Sequence, residues 1–585
     1  MNQDTELHDI MTSVVEKSLN LIKNFEHQPE NMTKLVDQWF DFCTKSTSLA
    51  HVLSTNTPEV QKMQRAYWED AIGLWQDQFN SCLEGKVVPI NDRRFSAEEW
   101  VNNPFFNMLS QQYLLASEHI NSLLEHLDYG DEFTAKRLKF FARQYLEALS
   151  PDNFLHTNPR LIAETLQSHG KNLLLGLQNL LTDIQTGSSR LIIKMTDTDA
   201  FKVGENIAIT PGKVIYRNDM MELIQYTPQT AKVKSVPLLI VPPWINKYYI
   251  LDLSTNNSLV RWLVEQGITV FIISWINPNK NYANKGMSDY LKEGPLDAVN
   301  VIKSQLGIKE VNALGFCIGG TLLSMMLAYN KAHQDNSVRS ATFLATMIDF
   351  SDPGDIAVFI DEKQVGKLEK HMEEKGYLEG HFMADAFNSL RASDLVWAFF
   401  IRNYLHGKPA VPFDLLFWNM DTTNMPARMH SEYLRQMYLD NNLIKPGKMH
   451  IDKTPIDISQ IDIPVFFVST KKDHIAPWKT TYIGFQAMKG KKQFLLGGSG
   501  HIAGIVIPPG GEKYGYYVNA ETPENPDSWL DNAHYHAGSW WPEWIKWLKA
   551  QSGRAVPAPV FADLPIQPLM DAPGSYVLNG ILNKN

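Results

Sequence analysis

The residue best suited to chemistry is Cys317, which stands in the tight sequence Gly315-Phe316-Cys317-Ile318-Gly319. Residues 310–314 predict a strand before it, and residues 321–327 predict a helix after it. Strand, tight turn and helix together are the setting of a nucleophile elbow, where small neighbours let strand and helix approach. The start of a helix also stabilises a thiolate and, later, an oxyanion. We therefore predict that Cys317 is a nucleophile; the alternative is a buried, inert cysteine between two chance glycines.

The partners of such a nucleophile are expected downstream in the order acid, then histidine, each after a strand. Asp473 follows the strand predicted over 463–468, and His501 follows the one over 493–496 in a glycine-rich loop. We predict that His501 takes the proton of Cys317 and that Asp473 orients His501 or acts as a second base. His474, beside Asp473, is the alternative general base.

Two backbone amides complete the predicted site as an oxyanion hole. One is the amide of Ile318, directly after the nucleophile, and the other comes from the loop 242–247, where we place it at Ile245. The glycines after Ile318 lack the lysine of a phosphate-binding loop, and no metal site is evident. The sequence therefore predicts neither a metal nor a cofactor.

The elements that must position these residues form an alternating pattern of strands and helices. Continuous apolar runs predict strands over 237–241, 268–274, 310–314, 340–345, 463–468 and 493–496. Such runs, separated by helices, indicate a mainly parallel sheet covered on both faces. With the elbow and the order of its partners, this predicts an α/β-hydrolase fold. The pattern is interrupted at about 350–460, and an insertion of this size is typical of a lid over the active site.

The first part of the chain has a different, helical periodicity. Apolar residues recur at three- and four-residue spacing over 109–127 and again over 173–181. We predict a helical N-terminal domain over 1–185 for packing, partner contact or surface attachment. The catalytic domain is then predicted over 186–585.

Composition narrows the function classes. The chain has 585 residues, 44% hydrophobic and 20% charged, with a net charge of −10, which argues against a general nucleic-acid binder. Three cysteines are too few for a disulfide framework, and the polar, acidic start is unlike a signal peptide. No apolar run approaches the roughly 18 residues of a membrane span. These features predict a cytoplasmic protein without a transmembrane segment.

A thiol at the elbow changes the expected reaction. Acyl transfer from one thioester to another thiol is almost reversible, so the acyl group on Cys317 stays activated for a further nucleophile. A serine ester would lose much of that activation. The cysteine therefore favours acyl transfer over hydrolysis.

At this point the chain closely resembles the polyhydroxyalkanoate synthases. The resemblance is carried by long motifs in one order, beginning with the cysteine turn and extending over nearly the whole chain beyond about residue 85. They are Pro242-Pro243-Trp244-Ile245-Asn246-Lys247, Phe413-Asp414-Leu415-Leu416-Phe417-Trp418-Asn419, Asp473-His474-Ile475-Ala476-Pro477-Trp478, Gly500-His501-Ile502-Ala503-Gly504 and Gly538-Ser539-Trp540-Trp541-Pro542.

The resemblance implies polymerisation of (R)-3-hydroxyacyl-coenzyme A into an intracellular polyester, with release of coenzyme A. It implies nucleophile, acid and base at Cys317, Asp473 and His501. In that family the aspartate is often assigned to activating the substrate 3-hydroxyl. The length resembles class I synthases, which implies a homodimer, short acyl chains such as 3-hydroxybutyryl, and attachment to the polyester granule surface. The class II synthases, which act on medium-length acyl chains, are similar in length and are the alternative. Arg391 matches a position suspected of contacting coenzyme A; a solvated lid arginine is the alternative.

Two other functions fit the same pattern. A cytosolic thioesterase or polyester depolymerase would use the same fold and the same three residues. A non-catalytic granule-associated protein would retain the fold without the chemistry, and the intact set of Cys317, Asp473 and His501 argues against it.

Overall fold

A computed structural model describes residues 54–187 and 191–579, together with Ser13, Val14, Lys17 and Val52. The chain divides into two compact units. The first comprises the described residues up to Asp197 together with Arg391–Val411, and the second comprises Thr198–Leu390 and the described residues from Pro412 onward.

The first unit is built from helices. Those of seven residues or more are α1 (Thr57–Leu83), α2 (Pro104–His126), α3 (Glu132–Ala148), α4 (Pro159–Gln167) and α5 (Lys171–Thr186). Side-chain caps start several of them: Asn103 accepts from the amide of Phe105 at 3.0 Å, and Asp131 accepts from the amide of Thr134 at 2.8 Å. These caps satisfy amides that have no partner within the helix.

The segment Arg391–Val411 belongs to this first unit because it packs closely on α5. Asn172 Nδ2 donates to the carbonyl of Leu405 at 2.9 Å. Gly176 has no room for a side chain, since a Cβ there would lie 1.8 Å from the carbonyl oxygen of Tyr404. The segment falls inside the predicted lid insertion, so its grouping with residues more than 200 positions earlier was not visible in the sequence.

The second unit is organised around an eleven-stranded sheet. Its strands are β1 (Gly212–Arg217), β2 (Met221–Tyr226), β3 (Leu238–Val241), β4 (Val270–Trp275), β5 (Val311–Phe316), β6 (Val338–Leu344), β7 (Val465–Thr470), β8 (Lys492–Gly497), β9 (Tyr516–Val518), β10 (His534–His536) and β11 (Met570–Asp571). The spatial order is β10-β9-β8-β7-β6-β5-β3-β4-β2-β1-β11. The six central strands, β8-β7-β6-β5-β3-β4, run parallel to one another. The outer strands on both sides pair antiparallel.

Helices connect the strands. Those of seven residues or more are α6 (Leu259–Glu265), α7 (Asp297–Leu306), α8 (Ile318–Ala332), α9 (Glu362–Lys375), α10 (Gly380–Leu390), α11 (Asp414–Met420), α12 (Ala427–Tyr433), α13 (Trp478–Ala487) and α14 (Trp541–Gln551). Two apolar clusters of buried side chains form around the sheet, one containing Leu239 and the other its neighbour Ile240. Alternate residues of one strand thus enter different clusters, as expected for a strand buried on both faces.

The sequence predicted this architecture well. The six predicted strands correspond to β3, β4, β5, β6, β7 and β8, with ends that differ by at most two residues. The α/β-hydrolase fold with a helical N-terminal region is confirmed. Between β6 and β7 the chain leaves the sheet, and this long insertion holds α9 to α12. None of the helices in the described parts of the chain is both long and apolar enough to cross a bilayer.

Candidate active site

Cys317 occupies a sharp turn between β5 and α8. Its φ of 52° and ψ of −125° lie outside the regions that residues with a side chain ordinarily adopt. The turn is held by its backbone: the amide of Cys317 donates to the carbonyl of Leu344 at 2.9 Å, and its own carbonyl accepts from the amide of Gly320 at 2.9 Å. The side chain, half-buried, faces a cavity.

Three glycines make this turn sterically feasible. A Cβ on Gly315 would lie 2.4 Å from Gly320 Cα, and one on Gly319 would lie 2.2 Å from the carbonyl oxygen of Val241. A Cβ on Gly320 would lie 2.0 Å from Thr346 Oγ1. The glycines of the motif are therefore required where β5, β3 and α8 approach each other, which is the spatial reason for an elbow.

His501 and Asp473 lie together beside the turn. Asp473 follows β7 and His501 follows β8, so the parallel neighbours bring the two side chains to the same edge of the sheet. Asp473 Oδ2 is 2.8 Å from Nδ1 of His501, and both side chains are buried. The imidazole also stacks on the ring of Phe316, with centroids 5.7 Å apart, and it lies close enough to Cys317 for the two groups to affect each other electrostatically.

Asp473 has its hydrogen-bonding capacity filled. Oδ1 accepts from the amides of Ile475 and Ala476 at 2.9 and 2.8 Å. Oδ2 accepts from Thr470 Oγ1 at 3.1 Å in addition to its bond with His501. A carboxylate accepts about four hydrogen bonds, so this one is fixed in place and aimed at the imidazole.

The electrostatics favour a charged imidazole. Burial alone disfavours the imidazolium, but the charges of Asp473 and Cys317 and their hydrogen bonds outweigh it. Together they hold the pKa of His501 well above its usual range. The arrangement is that of a thiol whose proton can pass to a neighbouring histidine that a carboxylate stabilises in its protonated form.

Ile318 and Ile245, whose amides are predicted to form an oxyanion hole, both line the cavity with Cys317. Ile318 is the first residue of α8, where an amide has no acceptor within the helix, and Ile245 lines the cavity with Cys317. The Ile245 loop is anchored: Thr423 donates its amide to the carbonyl of Ile245 at 3.3 Å, and Trp275 Nε1 donates to the carbonyl of Pro242 at 2.9 Å. Both residues thus lie beside the thiol, Ile318 next to it in the chain and Ile245 across the same cavity wall.

The cavity at Cys317 has a volume of about 260 Å³ and a largely apolar wall. Much of that wall comes from the inserted segment between β6 and β7, including α9, α10 and α12. Its members from the insertion include Ile356, Val365, Phe382, Met425, His430, Tyr433 and Tyr438. The insertion therefore encloses the space in front of the thiol.

The remaining predicted residues lie elsewhere. His474 is partly exposed, and its carbonyl accepts from the amide of Asp355 at 3.3 Å, whereas the residue paired with Asp473 is His501. Arg391 belongs to the first compact unit and forms an ion pair with Asp394. In the described residues, no three His, Cys, Asp or Glu side chains are grouped so as to hold a metal ion.

Sequence reasoning did not identify the polar residues of the cavity wall. Burial raises the pKa of the Tyr433 and Tyr438 hydroxyls, and the nearby Cys317 raises the pKa of both further. His430 is nine-tenths or more buried in the same wall. The spacing of 430, 433, 434 and 437 on one helical face was the available signal, but it predicts a buried face and not what that face touches.

Two family models match the chain. Residues 91–263 match a family described as "Poly-beta-hydroxybutyrate polymerase (PhaC) N-terminus", and residues 236–506 match one described as "alpha/beta hydrolase fold". The second match contains β3 to β8 and the residues Cys317, Asp473 and His501.

Three relatives resemble the chain over most of its length. The "Poly(3-hydroxyalkanoate) polymerase subunit PhaC" of Rhizobium meliloti is 46% identical over 586 residues, covering 96% of each chain. The "Poly(3-hydroxyalkanoate) polymerase" of Methylorubrum extorquens is 46% identical, covering 91% of this chain and 89% of the relative. The "Poly(3-hydroxyalkanoate) polymerase subunit PhaC" of Cupriavidus necator is 40% identical, covering 88% and 87%.

Proposed function

The chain belongs to the poly(3-hydroxyalkanoate) polymerases, and from that premise we propose that Cys317 carries the acyl chain as a thioester during polymerisation. The enzyme is a transferase, and a polymerase of this kind uses an acyl-coenzyme A substrate and a growing polyester chain. The observation that supports Cys317 as the carrier is its placement at the elbow, beside a histidine that is hydrogen-bonded with Asp473.

The proposed acylation step needs only the residues of this cluster. His501 takes the proton of the Cys317 thiol, and the thiolate attacks the thioester carbonyl carbon of the substrate. The resulting oxyanion accepts hydrogen bonds from the amides of Ile318 and Ile245. A new bond forms between Cys317 Sγ and the acyl carbon, the bond to coenzyme A breaks, and the leaving sulfur takes the proton from His501.

Chain extension follows from the same thioester. The 3-hydroxyl oxygen of a second acyl chain attacks the carbonyl carbon on Cys317 and loses its proton to His501, which can return it to the departing sulfur of Cys317. An ester forms and the thiolate leaves. We propose that Asp473 acts here mainly by orienting His501, because all of its acceptor positions are already engaged by Thr470, Ile475, Ala476 and His501.

The proposal is tested with 3-hydroxybutyryl-coenzyme A by following free coenzyme A and turbidity together. Wild-type protein is expected to release coenzyme A and form insoluble polymer, and Cys317→Ala is expected to do neither. Cys82→Ala, at an exposed cysteine, is the matched control and should behave as wild type. Free 3-hydroxybutyrate without polymer would instead identify a thioesterase, and undiminished coenzyme A release by Cys317→Ala would disprove the assignment of the nucleophile.

We propose a preference for short acyl chains, based on the similarity to class I synthases. The bulky wall residues Trp244, Met425 and Tyr433 around the cavity of about 260 Å³ support it, since a long side chain would have to displace them. The rate of coenzyme A release should be higher with 3-hydroxybutyryl- than with 3-hydroxyoctanoyl-coenzyme A. The reverse order would place the enzyme with the medium-chain synthases.

We also propose that the enzyme works in the cytoplasm at the surface of its polyester, as a homodimer. One face of α1 supports the surface attachment, because its large apolar side chains are exposed by 56 to 72%. They are Trp68, Ile72, Trp75, Phe79 and Leu83. The homodimer rests on the similarity to class I synthases, and sedimentation of polymer-free protein measures it.

A further inference from the structure

The polar groups in the wall of the Cys317 cavity differ in how they are satisfied. Thr321 Oγ1 donates to the carbonyl of Met347 at 2.8 Å. The rings of Tyr433 and Tyr438 contact each other with centroids 5.7 Å apart, and Gln364 is partly exposed to solvent. His430 remains to be explained.

His430 is 3% exposed and lines the cavity together with Cys317. Burial lowers the pKa of His430 to about 4, so the ring is neutral near neutral pH. A neutral imidazole offers one N–H donor and one acceptor nitrogen. Buried polar groups in folded proteins nearly always have a partner, and a wall residue can obtain one from the molecule that fills the cavity.

We propose that His430 is a substrate-recognition residue whose imidazole hydrogen-bonds with the oxygen on C3 of the acyl chain held at Cys317. This inference rests on the proposed thioester at Cys317. The carbonyl oxygen of that thioester is already assigned to the amides of Ile318 and Ile245, so the C3 oxygen is the next polar atom along the chain. A 3-hydroxyl both donates and accepts, which matches the two ring nitrogens.

The position of His430 along α12 suits this role. Tyr433, on the same helical face, is close enough to Cys317 for the charge of the sulfur to raise its pKa, although burial is the larger cause. His430 precedes Tyr433 by three residues, an axial advance of about 4.5 Å. The C3 oxygen of an acyl chain lies a similar distance from the sulfur that carries it. His430 and Tyr433 both line the cavity with Cys317, so this face of α12 is turned toward the space that the acyl chain would occupy.

A consequence is discrimination against acyl chains without an oxygen on C3. A site with a buried hydrogen-bonding group rejects an analogue that lacks the matching group, because the protein group is then left unpaired. Butyryl-coenzyme A has the same carbon chain as 3-hydroxybutyryl-coenzyme A and lacks only that oxygen. The pair therefore isolates the proposed contact.

The test is the rapid burst of coenzyme A release that accompanies acylation of Cys317, measured for both substrates. His430→Leu is expected to slow acylation by 3-hydroxybutyryl-coenzyme A by about tenfold and to leave acylation by butyryl-coenzyme A unchanged. His430→Gln is expected to retain most of the preference, because an amide also donates and accepts. His450→Leu, at an exposed histidine, controls for the loss of a histidine and should match wild type.

Two outcomes would overturn the proposal. Equal slowing with both substrates in His430→Leu would indicate that the residue only supports the wall, and unchanged rates with both would indicate no contact. Thermal unfolding of each variant identifies a folding defect, and His430→Gln then carries the comparison. Failure of the thioester proposal gives a different result, namely a burst that persists in Cys317→Ala.

Discussion

Two residues of the site are in energetically unfavourable states that neighbouring groups stabilise: Cys317 in its backbone conformation and His501 in its burial. Cys317 adopts a φ of 52°, which the hydrogen bonds to its amide and carbonyl maintain. His501 is buried yet disposed to be charged, because Asp473 and Cys317 flank it. Removing one of these neighbours should therefore change the proton affinity of His501 in a known direction.

Asp473→Asn is expected to lower the pKa of His501, since burial then acts against the imidazolium with less opposition. At neutral pH less imidazolium would be available to protonate the leaving sulfur, and turnover should fall by about a hundredfold or more. The ring resonance of His501, assigned with His501→Gln, reports the pKa in an NMR titration. Cys317→Ala should also lower it, and the double variant should give the lowest value. An unchanged titration in Asp473→Asn would contradict this account of the pair.

Much of the cluster could be predicted because its signals are local. Each of Cys317, Asp473 and His501 comes within four residues of the end of a strand, and parallel strands bring such positions to one edge of the sheet. His430 and Tyr438 could not be predicted in the same way. Their position in the cavity wall depends on how a long insertion folds back over the sheet, and no short stretch of sequence encodes that contact.

At the scale of elements, close packing explains residue choices that chemistry does not. Strand β5, strand β3 and helix α8 approach so closely that the glycines of the turn meet backbone atoms or Thr346. In the first unit, α5 and Tyr404 meet at Gly176 in the same way. These contacts join distant parts of the chain, which is why helix and strand prediction alone did not reveal the grouping of Arg391–Val411 with α5.

Gly319→Ala is expected to destabilise the fold by about 3 kcal/mol and to abolish polymerisation, because its Cβ would lie 2.2 Å from the carbonyl oxygen of Val241. Thermal unfolding followed by circular dichroism measures the loss. Gly366→Ala is the matched control: it lies within α9, where a Cβ would meet nothing within 4 Å. That variant should be neutral or slightly stabilising, since alanine favours a helix over glycine. Equal behaviour of the two variants would refute the steric explanation of the turn.

Glu222 joins the C-terminal segment to the sheet, and its loss should release that segment. The carboxylate, 0% exposed on β2, accepts from Arg217 Nε at 2.9 Å and from the amides of Ser575 and Tyr576 at 2.9 and 3.0 Å. Glu222→Gln would place the side-chain NH2 group of glutamine next to these N–H donors, and it should lower the free energy of unfolding by about 2 kcal/mol. Limited proteolysis should then cleave near residue 575 faster than in wild type. The surface variant Glu265→Gln should change neither stability nor cleavage; an unaffected Glu222→Gln would contradict the prediction.

At the scale of the whole molecule, the exposed surface matters as much as the site, because the product is an insoluble polymer. The apolar face of α1 recurs every three or four residues, so its members form one stripe along the helix. α1 carries four acidic and two basic residues, which suits an uncharged polyester better than an anionic membrane. An exposed stripe of this kind marks a binding surface.

Replacing Trp68, Trp75 and Phe79 by serine should weaken binding to amorphous polyester particles by about tenfold or more, because each exposed ring contributes apolar contact area. Co-sedimentation with the particles measures binding, and the first burst of coenzyme A release from soluble substrate should stay at the wild-type level. Leu149→Ser with Leu166→Ser, at exposed apolar positions outside α1, provides the control and should bind as wild type. If binding persists in the α1 variant while dimers dissociate, the stripe is a contact between two copies of the chain and the polyester is held elsewhere.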